Sequence, residues 1–213
     1  MRSQKDTFKK LTCYITGLLV LSIGSNLFLK TALGVAPSCT IALALSELFP
    51  AGSYALFNFF VNFTLLICET IVEKKIGKKQ LIQFALIFIY SLFIQLTSLP
   101  MQLFSVHQLP VRLVLALLSC AVMAAGASFT ISSGFAVLPM EGFVSSLAAK
   151  VKKPYGTVRV YVEISFTVIS AVFSFAMLNT LSVVGIGTVL AAACTGKITD
   201  WFTKNFIKRF WIA

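Results

Sequence analysis

The chain has 213 residues, of which 58% are hydrophobic and only 12% are charged, and its mean hydropathy is +0.91. Soluble domains carry about 25% charged residues, so this composition excludes a soluble enzyme, a nucleic-acid-binding protein and a disordered chain. Six spans of about 20 residues each would occupy most of this length. We therefore expect one polytopic membrane domain over residues 1–213, with the lipid bilayer as a partner and no nucleic acid bound.

Six segments are long and apolar enough to cross about 30 Å of hydrocarbon as helices. The first follows a basic amino terminus and is too long for the apolar part of a cleavable signal peptide, so we interpret it as a signal anchor. The five cysteines form no Cys-x-x-Cys pair and no Cys/His cluster, and we expect neither a metal site nor a cofactor. The six predicted spans are residues 11–31, 54–71, 81–99, 111–131, 158–178 and 181–202.

Two further apolar segments, residues 37–48 and 139–150, are too short to cross, because each gives about 18 Å of helix. Each begins at a proline, which suits the first helical turn, and each follows a stretch of small residues. Cytoplasmic loops carry an excess of Lys and Arg. If both segments are re-entrant and the amino terminus is inside, all 18 basic residues except Lys30 and Arg112 lie inside. We therefore predict an all-α membrane protein of six transmembrane helices plus two re-entrant half-helices.

The same charge distribution places both termini in the cytoplasm and the basic loops against anionic lipids of the inner leaflet. The net charge of +11 is then explained by basic residues in cytoplasmic loops and does not indicate nucleic-acid binding. The sequence is compatible with a homo-oligomer. One further pair, Asp200 and Lys204, has the i,i+4 spacing of a surface ion pair on a helix.

The two halves of the chain resemble each other at a shift of 102 residues. Each half runs in the order long span, small-residue break, proline-started half-helix, long span, long span, over residues 11–99 and 111–202. Three full spans per half make the halves enter the membrane from opposite sides, as in the inverted repeats of many transporters. The identities that carry the shift are Gly24 and Gly126, Val35 and Val137, Pro37 and Pro139, and Leu45 and Leu147.

In this arrangement the amino-terminal ends of the two half-helices approach each other near the midplane of the membrane. Helix amino termini carry unpaired N–H groups and partial positive charge, which favours a central polar site for an anion or a carbonyl-bearing solute. Glu141 lies in the first turn of the second half-helix. The candidate substrate-binding residues are Pro37, Ser38, Cys39, Pro139, Met140, Glu141, Asn26, Asn58, Asn62, Gly187 and Thr188.

Each polar candidate has a structural alternative. Glu141 is either a helix cap or a substrate and proton site. Arg159 and Glu163, four residues apart, form either an intrahelical ion pair or an inner gate. The asparagines are either lining residues or interhelical hydrogen-bonding groups, and the Gly187-Thr188 segment either faces substrate or allows close helix packing.

The second half resembles a known family. The stretch Pro139-Met140-Glu141-Gly142, the Arg159/Glu163 pair and the closing Gly185-Ile186-Gly187-Thr188 resemble the YczE/YyaS/YitT-type integral membrane proteins of bacteria. Glu141 stands where that family usually has Asp, and Ser38 and Cys39 replace its usual Trp and Asp. The resemblance implies a bacterial plasma-membrane protein that is presumed to be a transporter, and it supplies no substrate.

We therefore expect a secondary transporter of a small solute, an anion or an amphipathic metabolite, bound near the midplane with Glu141 as the candidate for proton coupling. A passive solute channel is one alternative, although the Asn-Pro-Ala signature of aquaporins is absent at Pro37 and Pro139. A substrate-capturing or accessory subunit without its own motor is the other. No nucleotide-binding motif and no catalytic constellation are present, so we do not expect an enzyme.

Overall fold

The structure, a computed structural model, describes residues 4–179, 183–203 and 205. Over these residues the chain is all-helical, as predicted, with eight α-helices, one short 3-10 turn and no strand. Five helices are long and apolar enough to cross a membrane, which indicates a membrane-embedded protein. The α-helices are α1 (Gln4–Thr31), α2 (Thr40–Leu48), α3 (Tyr54–Glu73), α4 (Lys78–Met101), α5 (Leu109–Ser133), α6 (Pro139–Val151), α7 (Tyr155–Leu178) and α8 (Ile186–Phe202).

The first five predicted spans correspond to α1, α3, α4, α5 and α7, each a few residues longer than predicted. The sixth prediction, residues 181–202, is wrong at its start, because α8 begins only at Ile186. Its 17 residues give about 25 Å of helix, less than the other spans. The reason is a tertiary contact: the Gly187 amide donates to the Leu33 carbonyl at 2.8 Å, which fixes the start of α8 on the first half. Lys204 and the side chain of Asp200 lie outside the described residues, and so does their predicted pair.

Both short apolar segments are helical and begin at the expected prolines. Residues 37–48 form a 3-10 turn, Pro37–Cys39, that continues into α2, whereas the second segment is a single helix from Pro139. Proline suits these first positions because it has no N–H to leave unpaired and its φ is already helical. The preceding Ala36 and Leu138 are extended, so each short helix starts at a defined corner.

The breaks before the two short helices have the same local structure. Thr31 and Ser133 end α1 and α5, and each hydroxyl donates to the carbonyl three residues back, at 2.7 Å in both cases. Each hydroxyl also accepts from the amide two residues on. The next residues, Ala32 and Gly134, both adopt positive φ, 46° and 55°. These paired turns stop the first helix of each half at corresponding points, 102 residues apart.

Helices α1 and α5 run antiparallel and pack closely along most of their length. A Cβ on Gly24 would come within 2.6 Å of Met123 Cγ, and a Cβ on Gly126 within 2.5 Å of the Leu21 amide nitrogen. The two contacts are equivalent at the 102-residue shift. Small residues at these crossings let the backbones approach in a way that larger side chains would prevent.

The remaining helices pack in matching pairs. Helix α1 packs on α4 as α5 packs on α8, α2 on α3 as α6 on α7, and α3 on α6 as α7 on α2. One pair has no close counterpart: α3 and α4 pack together, with aromatic contacts among Phe59, Phe63, Phe84 and Phe88, whereas the described residues of α7 and α8 form no extensive interface.

Candidate functional site

A cavity of about 860 Å³ lies at the end of the bundle where α4, α6 and α7 have their amino termini. Its walls come from α1, α4, α5, α6, α7, α8 and the corner before α6. The volume is typical of a site for a small organic ligand. Its charged and amide-bearing lining residues are Lys79, Gln83, Glu141 and Arg159.

Glu141 lines this cavity from the first turn of α6. Its Oε2 atom is buried and has no hydrogen-bond partner in the part of the chain that the structure describes. A buried acceptor without a partner costs about 1–3 kcal/mol, so a proton or a ligand that satisfied this oxygen would stabilise the protein. The place of the carboxylate in the first turn also complements the positive end of α6, so both interpretations of Glu141, helix cap and binding residue, are compatible with its position.

Arg159 and Glu163 form the predicted ion pair within α7. The Arg159 Nε atom donates to Glu163 Oε1 at 3.0 Å, and Arg159 also lines the cavity. Arg159 interacts electrostatically with Glu141, but the described residues contain no ion pair between the two. In this conformation the Nε atom of the guanidinium is thus bonded to Glu163, and Glu141 has no charged partner in contact among the described residues.

The side chain of Glu69, which sequence reasoning missed, lies behind the cavity wall. It is wholly buried in α3 and contacts the Lys79 ammonium at 2.5 Å. A Cβ on Gly142 would come within 2.3 Å of a Glu69 carboxylate oxygen, so glycine at this position of α6 makes room for the carboxylate. Two carboxylates, those of Glu69 and Glu141, therefore flank the first turns of α6.

Glu73 extends this polar cluster toward the end of α3. Its Oε1 accepts from Lys79 Nζ at 2.7 Å and from Ser146 Oγ at 2.6 Å, and its Oε2 accepts from Gln80 at 2.8 Å. Helices α3, α4 and α6 are joined in this way by charge-assisted hydrogen bonds. We refer to Glu69, Glu73 and Lys79 as the α3–α4 triad.

Gln83 connects the triad to the cavity. Its Nε2 donates to Glu69 Oε2 and to the Val137 carbonyl, both at 3.1 Å, which holds the corner before α6 against α4. The side chain is 1% exposed, yet its Oε1 atom has no partner and the residue lines the cavity. The wall thus contains a second buried acceptor that nothing in the described chain satisfies.

The sequence contained a signal for Glu69, because a carboxylate inside an apolar span is a functional candidate by default. Residue 69 falls within the predicted span of residues 54–71, where it is the lone charge. Its partners could not be predicted, because Lys79, Gln83 and Gly142 come from other helices and meet it only after folding.

The candidates of the first half are not part of this cavity. Ser38 and Cys39 correspond to Met140 and Glu141 at the 102-residue shift. Cys39 is buried in a core cluster that also contains Ala36 and Tyr90, and nearby the Ser25 hydroxyl and the Tyr54 hydroxyl lie 3.2 Å apart. The position equivalent to the cavity is therefore filled by neutral side chains.

Two prolines and a methionine at the predicted site are core residues. Pro37 and Pro139 are buried where the short helices begin, and Met140 is buried beside Val144 in the core shared by α2, α3, α6 and α7. None of these three residues lines the cavity. Their contribution is to fix where the short helices start.

The asparagines make hydrogen bonds within the protein. Asn26 donates to the Ile94 carbonyl at 2.8 Å and to Thr97 Oγ1 at 2.7 Å, which joins α1 to α4. Asn62 donates to Asn58 within α3, at 2.9 Å to both its backbone and its side-chain oxygen. These are the structural arrangements that membrane-embedded asparagine commonly adopts.

Gly187 and Thr188 lie at the start of α8, against the break of the first half. A Cβ on Gly34 would come within 2.5 Å of Thr188 Oγ1, and the Gly185 amide donates to the same oxygen at 3.3 Å. These residues allow close packing, and the cavity lies further along α8, at Thr195 and Gly196.

Together these features define a helical membrane protein with a charged cavity at the start of a short helix. The model of the Family of unknown function (DUF6198) matches residues 8–204, and the chain belongs to this family. No curated protein and no solved structure matches the chain.

Proposed function

We propose that this protein is a secondary transporter of a small solute in the bacterial plasma membrane, and that Glu141 carries both the substrate contact and the coupling proton. The observation that carries the proposal is a difference between two equivalent positions. A cavity of about 860 Å³ lies at Glu141 of the second half, and the corresponding position of the first half is packed around Cys39. Transporters that alternate their access have one side open and the other closed.

The packing supports an inverted repeat as the basis of this alternation. Helices α1 and α5 are equivalent at the 102-residue shift and run antiparallel, and the contacts of Gly24 and Gly126 across them correspond. The matching turns at Thr31 and Ser133 add local support. In this proposal α2 and α6 are re-entrant half-helices that enter from opposite sides, and the cavity opens to the cytoplasm because Lys79 and the basic loop before it lie there.

The resemblance to YczE/YyaS/YitT-type proteins agrees with a transporter and remains part of the proposal. Glu141, Arg159 and Glu163 carry that resemblance, and they are brought together at or beside the cavity. Anionic lipids are the proposed partners of the basic loops. The proposal is independent of whether the protein forms a homo-oligomer.

Cysteine accessibility tests alternating access. In a variant whose five native cysteines are replaced by serine or alanine, Gly196→Cys probes the cavity and Ser38→Cys probes its closed counterpart. With a membrane-impermeant maleimide, we expect Gly196→Cys to react from the cytoplasmic side. Ser38→Cys should react from the other side in only a fraction of the molecules. In a variant that carries both cysteines, a bulky label already attached at position 196 should change the fraction that reacts at position 38, either increasing it or abolishing it.

Two exposed positions are the controls for sidedness. Lys75→Cys should react only from the cytoplasmic side and Glu47→Cys only from the outside, whatever the state of the protein. If Gly196→Cys and Ser38→Cys react fully and independently of each other, the passive channel is the correct function. If Ser38→Cys never reacts from outside, access does not alternate and the accessory-subunit alternative replaces the transporter.

A further inference from the structure

We infer that the transported solute is an amphipathic amine, whose ammonium group binds at Glu141 and whose apolar part lies along the wall of the cavity. The inference rests on the proposed function, because it names the substrate class of the same site. It differs from the anion that the helix amino terminus favours when the sequence is considered alone.

The first step is the state of the hydrogen-bonding groups in the wall. Both cations of the cavity are already paired, Arg159 with Glu163 and Lys79 with the two other carboxylates of the α3–α4 triad. Two buried acceptors of the wall, Glu141 Oε2 and Gln83 Oε1, have no partner among the described residues. A ligand that satisfies them must donate hydrogen bonds.

The second step is the charge balance. Among the described residues, four carboxylates and two cations lie at or directly behind the wall, because the α3–α4 triad and the Arg159/Glu163 pair each contribute, together with Glu141. This excess of negative charge at the first turns of α6 offsets the positive end of the helix. A bound anion would be repelled, whereas an ammonium would gain a charge-assisted hydrogen bond.

The geometry also lets Glu141 reach a ligand. Its side chain is partly exposed in the cavity, and the terminal torsion of a carboxylate is soft. A modest rotation therefore turns the unpartnered oxygen toward the cavity. A proton and an ammonium are then alternative occupants of one carboxylate, which is the arrangement that exchange of one for the other requires.

The third step is the apolar character of the remaining wall. The hydroxyl groups of the wall can donate and accept hydrogen bonds, so they favour neither an amine nor an anion. Much of the rest of the wall is apolar. Burying a hydrocarbon chain against it would contribute about 25 cal/mol of binding free energy per Å² of apolar surface. The apolar lining residues are Leu21, Ile82, Ile131, Phe135 and Leu138.

The fourth step is the lateral boundary of the cavity. Tyr155 and Arg159 of α7 line it, as do Thr195 and Gly196 of α8, but the described parts of these two helices form no extensive interface with each other. Apart from its own stretch of helix, no atom of the described residues lies within 4 Å of a Cβ built on Gly196. An amphipathic solute can therefore enter from the inner leaflet between α7 and α8, a route that the packed α3–α4 pair closes on the other half.

Thermal unfolding of the full-length protein in detergent provides the test, because a ligand that binds only the folded state raises the midpoint. The probes are n-octylamine, n-octanoate and n-octanol, which share a chain and differ in the head group, together with ethylamine, which lacks the chain. We expect n-octylamine to raise the midpoint. Octanoate and octanol should have no specific effect, and ethylamine should require a much higher concentration.

Two variants assign the effect to the site. Glu141→Gln should weaken n-octylamine binding by about tenfold to a hundredfold, the usual worth of a hydrogen bond to a charged group. Gln83→Leu should weaken it by a smaller factor, and it keeps the test valid if Glu141→Gln folds poorly. Glu47→Gln, a carboxylate on α2 that does not line the cavity, is the matched control and should leave binding unchanged.

The amine can come from a soluble metabolite or from an aminophospholipid head group. In nanodiscs of phosphatidylcholine, added phosphatidylethanolamine should compete with n-octylamine if the membrane is the source, and should not compete if the source is soluble. Both results support the amine class.

The inference and the proposed function fail in different ways. If n-octanoate stabilises the protein through Glu141 and n-octylamine does not, the amine class is wrong and the transporter remains. If no probe binds while Gly196→Cys and Ser38→Cys still show alternating access, the inference again fails alone. If both the binding and the alternating access are absent, the proposed function fails as well.

Discussion

Glu69 is a carboxylate with no exposed surface in an apolar helix that is long enough to cross a membrane. A buried charge of this kind persists only with partners, because its desolvation is expensive. Lys79 supplies the opposite charge at 2.5 Å and Gln83 supplies a hydrogen bond at 3.1 Å. Because Lys79 also pairs with Glu73, a single ammonium joins the end of α3 to the start of α4.

This role predicts that Lys79→Met destabilises the protein by about 1–3 kcal/mol, the cost of leaving a buried acceptor without its charged partner. This loss of stability is smaller than that expected for a fully buried ion pair, because the Lys79 side chain is 47% exposed and water screens its charge. The measurement is the thermal midpoint of the purified protein in detergent.

Lys78→Met is the matched control, since Lys78 is an exposed neighbour that makes no ion pair among the described residues. Its midpoint should equal that of the wild type. Equal midpoints for both variants would contradict a structural role for the triad.

At the scale of helices, the sequence predicted the short elements well and the last helix poorly. Prolines at positions 37 and 139 mark the start of both half-helices because proline imposes its own φ and lacks an N–H. These are local effects that the sequence carries directly. The start of α8 depends instead on the hydrogen bond from Gly187 to Leu33, which joins residues more than 150 positions apart and leaves no local pattern.

The asparagines give a prediction at this scale, because their bonds connect different elements. Asn26 joins α1 to α4, whereas the side chain of Asn62 bonds within α3. Interhelical hydrogen bonds in membranes contribute about 0.6 kcal/mol on average and at most about 1.7 kcal/mol. We expect Asn26→Ala to lower the free energy of unfolding by about 1–2 kcal/mol and Asn62→Ala to lower it by less.

Unfolding in mixed detergent measures both variants under the same conditions. The binding of n-octylamine should survive in Asn26→Ala, because Asn26 does not line the cavity. If Asn26→Ala lost n-octylamine binding and kept its stability, the structural role would be wrong, and Asn26 would be a binding residue as the sequence predicts.

At the scale of the whole molecule, the two halves have the same order of helices but differ in the side chains at equivalent positions. The sequence indicated Glu141 as a site because it is a charged group in an apolar half-helix, and Glu141 does line the cavity. It could not indicate that Ser25, Tyr54 and Tyr90 would close the equivalent position around Cys39, because these side chains come from three helices. The sequence pattern of a proline before a short apolar segment locates a short helix. Whether a cavity or a packed core lies beside that helix depends on tertiary packing.

The proposed topology predicts where each loop lies. Reporter fusions after Lys75 and after Lys153 should be cytoplasmic, and fusions after Gly52 and after Ser105 should be external, because α2 and α6 return to the side from which they enter. Activity of a periplasm-dependent reporter and of a cytoplasm-dependent reporter at each fusion point measures this. External reporters after Lys75 would mean that α2 crosses the membrane and would overturn the re-entrant arrangement.

The close packing of α1 and α5 has a consequence for how such a molecule can move. The Gly24 and Gly126 crossings leave no room for sliding, and Arg112 at the start of α5 donates to the carbonyls of Thr31 and Ala32 at the end of α1. In the proposed transporter, this pair is therefore the fixed element. Helices α2, α3, α6 and α7, which pack on one another across the halves, are the part that we propose to rotate against it, closing the cavity at Glu141 and opening its counterpart at Cys39.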